Sequence, residues 1–192
     1  MAAFINNDIT AAGLLVLAKG VAGKQINYTK IVLGDGYLEE GQTPRSLTGV
    51  VSPKATIDIT KCVVNGDGTV TVGGVFTNDQ TNDGFYYREL GLYADDPDED
   101  VGEVLYCYGN CGDLAEWIPP TGGATIVEKT IDIVTAIGTA TNVTPTSPRT
   151  PTPPRRTTKT TRPSPSRRRP RPIRPSSSRS RRSRSRSRPR PP

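Results

Sequence analysis

The chain has 192 residues and a formal net charge of +6, but this total combines two segments of opposite charge. Residues 1–144 contain 8 lysines and arginines against 19 acidic residues, a net charge of −11, whereas residues 145–192 contain 17 basic residues and no acidic one. The absence of histidine excludes serine–histidine and cysteine–histidine nucleophilic pairs, histidine-ligated zinc-protease motifs and an imidazole base, so we expect a protein that is not an enzyme.

Residues 8–19 are predicted to form the only helix of the chain. Asp8 or Thr10 can cap its N-terminus, and Gly20 supplies a stop. Gly13 weakens the helix by about 1 kcal/mol relative to alanine, unless another element approaches closely there. The apolar positions at helical spacing are Ile9, Ala12, Val16 and Leu17.

Alternation of apolar and polar residues predicts strands in the next part of the chain. Residues 26–33 form one such strand. Residues 55–64 and 69–76 flank a glycine-rich connector of four residues, which predicts a hairpin. In its return strand, Gly73 and Gly74 indicate a bulge or a close backbone contact.

Residues 84–110 form the clearest pattern, two alternating aromatic arms joined by an acidic loop, and predict an antiparallel hairpin. The loop lacks the ligand order of a helix-loop-helix calcium site, so we expect its carboxylates to be solvated rather than to bind calcium. We expect Glu89, beside Arg88, to be half of a surface or interface ion pair. The loop acids are Asp95, Asp96, Asp98, Glu99 and Asp100.

The last alternating segment, residues 127–137, has one apolar face and one partly wet face. No helices alternate with the strands, which excludes a doubly wound nucleotide-binding sheet. The predicted fold class is therefore α+β and mainly β, with one N-terminal helix and about six mostly antiparallel strands. Residues 1–144 are predicted to be one domain, since a segment of this length can bury roughly two-thirds of its unfolded surface.

The three cysteines, Cys62, Cys107 and Cys111, predict reduced thiols rather than a secreted disulfide framework, because their number is odd and no basic-then-apolar leader precedes them. Cys107 and Cys111 have a spacing that could suit a metal, but a closed zinc site would need a carboxylate as a ligand. We expect no metal and no cofactor. The longest apolar-leaning stretch, residues 9–21, is too short to cross a bilayer, so we expect no membrane insertion and no signal peptide.

Four segments together resemble the N-terminal domain of phage tail-collar fibre proteins, and the resemblance covers residues 1–144. It implies a virion structural protein of the tail fibre that attaches to the baseplate or to tail proteins, supports host adsorption and assembles as a homotrimer made in the host cytoplasm. The segments are ITAAGLLVLAKGVAGKQINYTKIVLGDG, SLTGVVSPKATIDITKCVVNGDGTVTVGGVFTN, FYYRELGLYADDPDEDVGEVLYCYGNCGDLAEWIPP and TIVEKTIDIVTAIGTATNV.

We call the hairpin predicted over residues 84–110 the central hairpin. Its tyrosines are the predicted interface residues, because tyrosine is enriched in protein–protein contacts. The alternative is that most of them pack in the core of the domain itself. The five tyrosines are Tyr86, Tyr87, Tyr93, Tyr106 and Tyr108.

Residues 145–192 contain only proline, serine, threonine, arginine and lysine apart from Ile173, and this composition predicts a disordered basic tail. Such a tail favours weak, non-specific binding of nucleic acid, which is the alternative function. The fibre family usually continues here into a shaft and a receptor-binding tip. A truncation with an acquired tail, a frameshift or a nucleic-acid tether would each explain the difference. The candidate polyanion contacts are Arg167, Arg168, Arg169, Arg179, Arg181, Arg182, Arg184, Arg186 and Arg188.

Overall fold

The computed structural model describes residues 2, 4, 7–123, 125–140 and 142–145. These residues belong to the first of two units of the chain, residues 1–152, and the second unit, residues 153–192, lies outside them. The described part has one α-helix, α1, Ala11–Val21. Its strands are β1 Asp8–Ile9, β2 Ile26–Gly34, β3 Pro53–Asp58, β4 Lys61–Val64, β5 Thr69–Thr77, β6 Phe85–Tyr87, β7 Glu89–Asp95, β8 Glu103–Asn110, β9 Glu116–Ile118, β10 Glu128–Ala136 and β11 Val143–Pro145.

The largest sheet has six strands in the order β1-β8-β7-β2-β11, with β3 also paired to β2. The N-terminal part of β2 pairs with β11 in parallel, and its C-terminal part pairs with β3 in antiparallel orientation. The prediction of a mainly β fold with one helix is confirmed. The described residues contain eleven strands rather than about six, because strands of two to four residues are too short to show a period.

A second sheet, in the order β10-β5-β4, packs against the first, and β6 and β9 form a separate two-stranded ribbon. The core joins the two larger sheets, since Tyr28 and Tyr106 of the first lie in one buried cluster with Val72 and Ile133 of the second. Along β10, buried and exposed side chains alternate as its sequence predicts. The second sheet therefore has one face in the core and one face in solvent.

Of the two predicted cap residues, Asp8 and Thr10, helix α1 uses Thr10. Its hydroxyl oxygen accepts a hydrogen bond from the Gly13 amide at 2.9 Å, and the hydroxyl donates to a carbonyl of β8. The predicted end at Gly20 is wrong by about one residue, since the helix includes Val21 and the following left-handed glycine is Gly23, with φ of 96°. In the part of the chain that is described, no helix has the length and hydropathy needed to cross a membrane.

Gly13 brings α1 close to the large sheet. A Cβ atom at this position would overlap the backbone carbonyl of Tyr106, and that same carbonyl accepts a hydrogen bond from the Thr10 amide at 3.0 Å. The backbones of α1 and β8 thus approach closely at Gly13, which explains a glycine in the middle of the helix.

The predicted strand over residues 55–64 is two strands, because the chain passes here from one sheet to the other. Its first half, β3, pairs with β2, whereas its second half, β4, pairs with β5. The change of sheet takes place beside Gly74, where an added Cβ would overlap the carbonyl of Asp58. The paired glycines therefore serve a close backbone contact, and the register of β5 shows no bulge.

Candidate protein interface

The predicted first arm of the central hairpin is interrupted at Arg88, which separates β6 from β7. Only β7 pairs with β8, while β6 pairs with β9. The backbone of Arg88 is held on both sides, since its amide donates to the Gly34 carbonyl at 2.9 Å and its carbonyl accepts from the Cys111 amide at 3.0 Å. Arg88 and Glu89 are consecutive and both buried, so the period of two seen in the sequence does not continue through this point.

Glu89 is fully buried and accepts four hydrogen bonds. Its Oε2 accepts from the amides of Gly36 and Ser52 at 2.7 and 2.9 Å. Its Oε1 accepts from the Val51 amide at 2.7 Å and from the Tyr108 hydroxyl at 2.8 Å. The expectation of a surface or interface ion pair is therefore wrong, because the carboxylate fixes two ends of the loop between β2 and β3 from inside the protein.

The guanidinium of Arg88 also contacts this loop. Its Nε donates to the Gly112 carbonyl at 3.0 Å, and its Nη1 donates to the carbonyl of Asp35. The group stacks on the ring of Tyr37 at 3.8 Å from the ring centroid and lies 5.7 Å from that of Tyr86. Because Arg offers a planar group with several donors, it can hold two carbonyls and an aromatic ring at once.

Two large aromatic side chains lie on the β6–β9 ribbon, and one of them, Tyr86, is near this arginine. Tyr86 and Trp117 are directly opposite in the strand register, and their ring centroids are 5.0 Å apart at 62°. Each is 50% exposed. The Trp117 ring lies against the backbone of Gly84, where an added Cβ would overlap it. Edge-to-face packing fixes the pair while leaving half of its surface in contact with solvent.

Tyr37 extends this group, and we call Tyr37, Tyr86 and Trp117 the aromatic surface. Tyr37 is 54% exposed and its hydroxyl donates to Asp113 at 2.9 Å, a bond that raises the pKa of the tyrosine. Leu114, the next residue after Asp113, is also exposed. Arg88 connects the members, since it contacts two of the three rings. The result is an exposed set of large rings held by hydrogen bonds and stacking.

The structure divides the five tyrosines predicted as interface residues. Tyr86 is exposed and Tyr93 is half-buried, but Tyr87, Tyr106 and Tyr108 are buried, so the prediction is wrong for these three. The Tyr106 hydroxyl donates to the Ala136 carbonyl at 2.9 Å, which uses its polar end inside the core. Alternation identifies residues that share a face, but both faces of β8 are covered.

Sequence reasoning missed two of the three residues of the aromatic surface. Tyr37 lies in a loop with no periodicity, and Trp117 lies in a strand of only three residues. One signal was available for Trp117, since it precedes Ile118, which is buried, so alternation would have placed the tryptophan outside. Its pairing with Tyr86 needs the partner strand to be known.

The acidic loop between β7 and β8 is only partly solvated. Asp98, Glu99 and Asp100 are exposed as predicted, but the Asp96 carboxylate is 5% exposed and binds Lys19 of helix α1 at 2.5 Å. Although burial opposes it, the hydrogen bonds from Lys19 and from the Asp98 amide hold the pKa of Asp96 below its ordinary value. This ion pair connects the β7–β8 loop to helix α1.

The three cysteines form no disulfide bond with one another. Burial raises the pKa of Cys107 to about 12, so this thiol stays protonated at neutral pH. Across the described residues, no group of three or more cysteine, aspartate and glutamate side chains is arranged to hold a metal ion. The nine arginines predicted to contact a polyanion lie outside the described residues.

Comparison with models of protein families, with characterised proteins and with solved structures gave no significant match to this chain.

Proposed function

We propose that residues 1–144 form a structural attachment domain, by which a phage or phage-like tail fibre is anchored to the baseplate and so supports host adsorption. The resemblance of four successive segments to tail-collar fibre proteins motivates this proposal. In this role the domain acts through complementary surfaces, and no bond is made or broken. The fibre is a homotrimer in the virion, as the resemblance implies.

The aromatic surface is the observation that supports the proposal. Tyrosine, tryptophan and arginine are the residues that most often dominate the binding energy of protein interfaces. Binding usually costs side-chain entropy, but Tyr86 and Trp117 are already packed on each other and Tyr37 is already stacked on Arg88. A partner therefore meets half-exposed rings that lose little freedom when covered. Such a surface suits a stable structural contact.

Removal of the two ribbon rings tests the proposal on the full chain. We expect the double variant Tyr86→Ala/Trp117→Ala to fold and to be lost from particles purified from producing cells, as measured by immunoblotting against the chain. Leu15→Ala is the matched control, because Leu15 is 62% exposed and lies on helix α1, which packs on β8. Light scattering should give three times the mass of one chain for all three proteins. A monomeric wild type that is absent from particles would contradict the proposal.

The alternative function is nucleic-acid binding through residues 145–192, and their 17 basic residues without an acidic one favour it. If about ten of these charges met phosphates, the logarithm of affinity for duplex DNA would fall against the logarithm of salt concentration with a slope near −9. Deletion of residues 145–192 should then abolish binding in a filter or anisotropy assay. Binding by the truncated chain, or a slope near zero, would contradict this role.

A further inference from the structure

A cleft of about 600 Å³ lies between β3 and the end of β5, and no residue of the aromatic surface lines it. Strands β3 and β4 follow each other in the chain, but β3 belongs to the large sheet and β4 to the small one, so β3 and β5 separate beyond Gly74. The cleft fills the space between them. Residues 54–58 and 60 line one side, and residues 75–77 and 79–81 line the other.

The backbone of β5 presents hydrogen-bonding groups to this cleft. Just beyond the two ends of β5, the Asn78 amide donates to the Val127 carbonyl and the Ile137 amide donates to the Gly68 carbonyl. Because hydrogen-bonded pairs alternate in an antiparallel ladder, the even-numbered residues of β5 form the backbone hydrogen bonds to β10. The amides and carbonyls of odd-numbered residues point the other way. On that side β4 pairs only as far as Gly73, and the residues beyond it have no strand partner in the described ranges. These residues are Val75 and Thr77.

The edge of β3 that faces the cleft also lacks a strand partner among the described residues. Among the described residues β3 pairs only with β2, which leaves its second edge towards the cleft. Unpaired strand edges are templates for another strand, and two of them facing one cleft offer an incoming chain partners on both sides. An extended backbone is the ligand that complements this arrangement.

The charges at the cleft indicate the side chains that such a ligand carries. Asp58 and Asp79 both line it, and no ion pair to either is formed within the part of the chain that is described. Lys54, the basic residue of the lining, is bound to Asp35 at 3.3 Å. The uncompensated charge is therefore negative, and a basic side chain complements it.

We propose that this cleft binds an extended, basic segment of a partner protein as an added β-strand. The segment pairs with Val75 and Thr77 on one side and with β3 on the other. A lysine or arginine of the segment lies near Asp58 or Asp79. The proposal does not rest on the aromatic surface or on the role in a tail fibre.

Proline substitution separates strand addition from other modes of binding. Val75→Pro removes an amide that points to the cleft and leaves the ladder with β10 intact. Val134→Pro is the matched control, because the backbone amides of even-numbered residues of β10 point away from β5. The side chains of Val75 and Val134 are also similarly exposed, at 46% and 55%. Trp117→Ala tests independence from the aromatic surface.

The probe is a library of random nonapeptides displayed on filamentous phage and selected on the full-length wild-type chain. We expect the selected peptides to contain lysine or arginine and to bind at least tenfold more weakly to Val75→Pro, by fluorescence anisotropy, than to the wild type, Val134→Pro or Trp117→Ala. Peptides that bind Val75→Pro as well as the wild type, or no enrichment of any peptide, would overturn the proposal.

Amide hydrogen exchange on the wild type gives a second readout that does not depend on the folding of a variant. The amides of Val75 and Thr77 should exchange quickly in the free chain and be protected at least tenfold by saturating peptide. The Val134 amide, on the free edge of β10, should be unaffected. Protection of Val75 and Thr77 before any peptide is added would show that the edge is already paired and would overturn the proposal.

Discussion

The Tyr108 hydroxyl donates a hydrogen bond to the Glu89 carboxylate at 2.8 Å, and both side chains are fully buried. Burial, which is the largest cause, and the bond to Glu89 raise the pKa of Tyr108, so the tyrosine remains a donor at neutral pH. The other three bonds to Glu89 come from backbone amides of one loop. A single carboxylate on β7 thus connects β8 to the segment between β2 and β3.

Replacement of Glu89 by glutamine should destabilise the protein, since the side-chain amide would present hydrogens to donors that now face an oxygen. A hydrogen bond to a charged group contributes about 1.5–3 kcal/mol, and we expect a loss in the free energy of unfolding of at least this size in urea titrations. Glu99→Gln is the control, because it removes the same charge from an exposed position. Tyr108→Phe combined with Glu89→Gln should be less destabilising than the sum of the two single variants. Additive losses would show that the two side chains do not act as a pair.

Gly13→Ala should destabilise the protein although alanine favours a helix by about 1 kcal/mol. The reason is the backbone carbonyl of Tyr106, which occupies the space that the new methyl group needs. Ala18→Gly, at an exposed position of the same helix, measures the propensity effect alone. Thermal unfolding followed by circular dichroism compares the two variants, and a stabilised Gly13→Ala protein would refute the close packing of α1 on β8.

The ion pair between Lys19 and Asp96 predicts a dependence of stability on pH. The folded-state pKa of Asp96 lies below its unfolded value of about 3.9, so its contribution is present above that value and is lost as pH falls through the folded pKa. Hydrogen bonds to the carboxylates of Asp96 and Asp98 raise the pKa of Lys19 above 10.5, so its contribution is lost only as pH rises beyond that range. Urea titrations from pH 7 to pH 2.5 should show the advantage of the wild type over Asp96→Asn disappear at acidic pH. Asp100→Asn, at an exposed site of the same loop, should show no such change.

Arg88→Lys should loosen the aromatic surface without removing a charge. Lysine cannot stack on Tyr37 while it donates to the carbonyls of Asp35 and Gly112, so we expect a loss of about 1–3 kcal/mol in the free energy of unfolding. The near-ultraviolet circular dichroism of the tyrosines should weaken as well. Arg45→Lys, at an exposed position, is the control. An unchanged spectrum and stability would show that Arg88 does not hold these rings.

Elements whose signals are local can be predicted from the amino-acid sequence. Neighbouring residues predict a cap at Asp8 or Thr10, the hairpin of β4 and β5 and the alternation along β10. The structure contains all three features, with the cap at Thr10. The mainly β class follows from the same signals. These features depend on backbone preferences and on which side chains share a face. Residues that are close together in the sequence determine both properties.

Strand pairing and the burial of each sheet face depend on contacts between distant parts of the chain. The parallel pairing of β11 with β2, the break at Arg88 and the change of sheet after Asp58 all depend on residues distant in the chain. Alternation identified a face containing Tyr106 and Tyr108, but only packing against other elements shows that this face is buried. For the same reason Glu89 looks like a surface charge in the sequence, because its three amide partners belong to a loop that comes earlier in the chain.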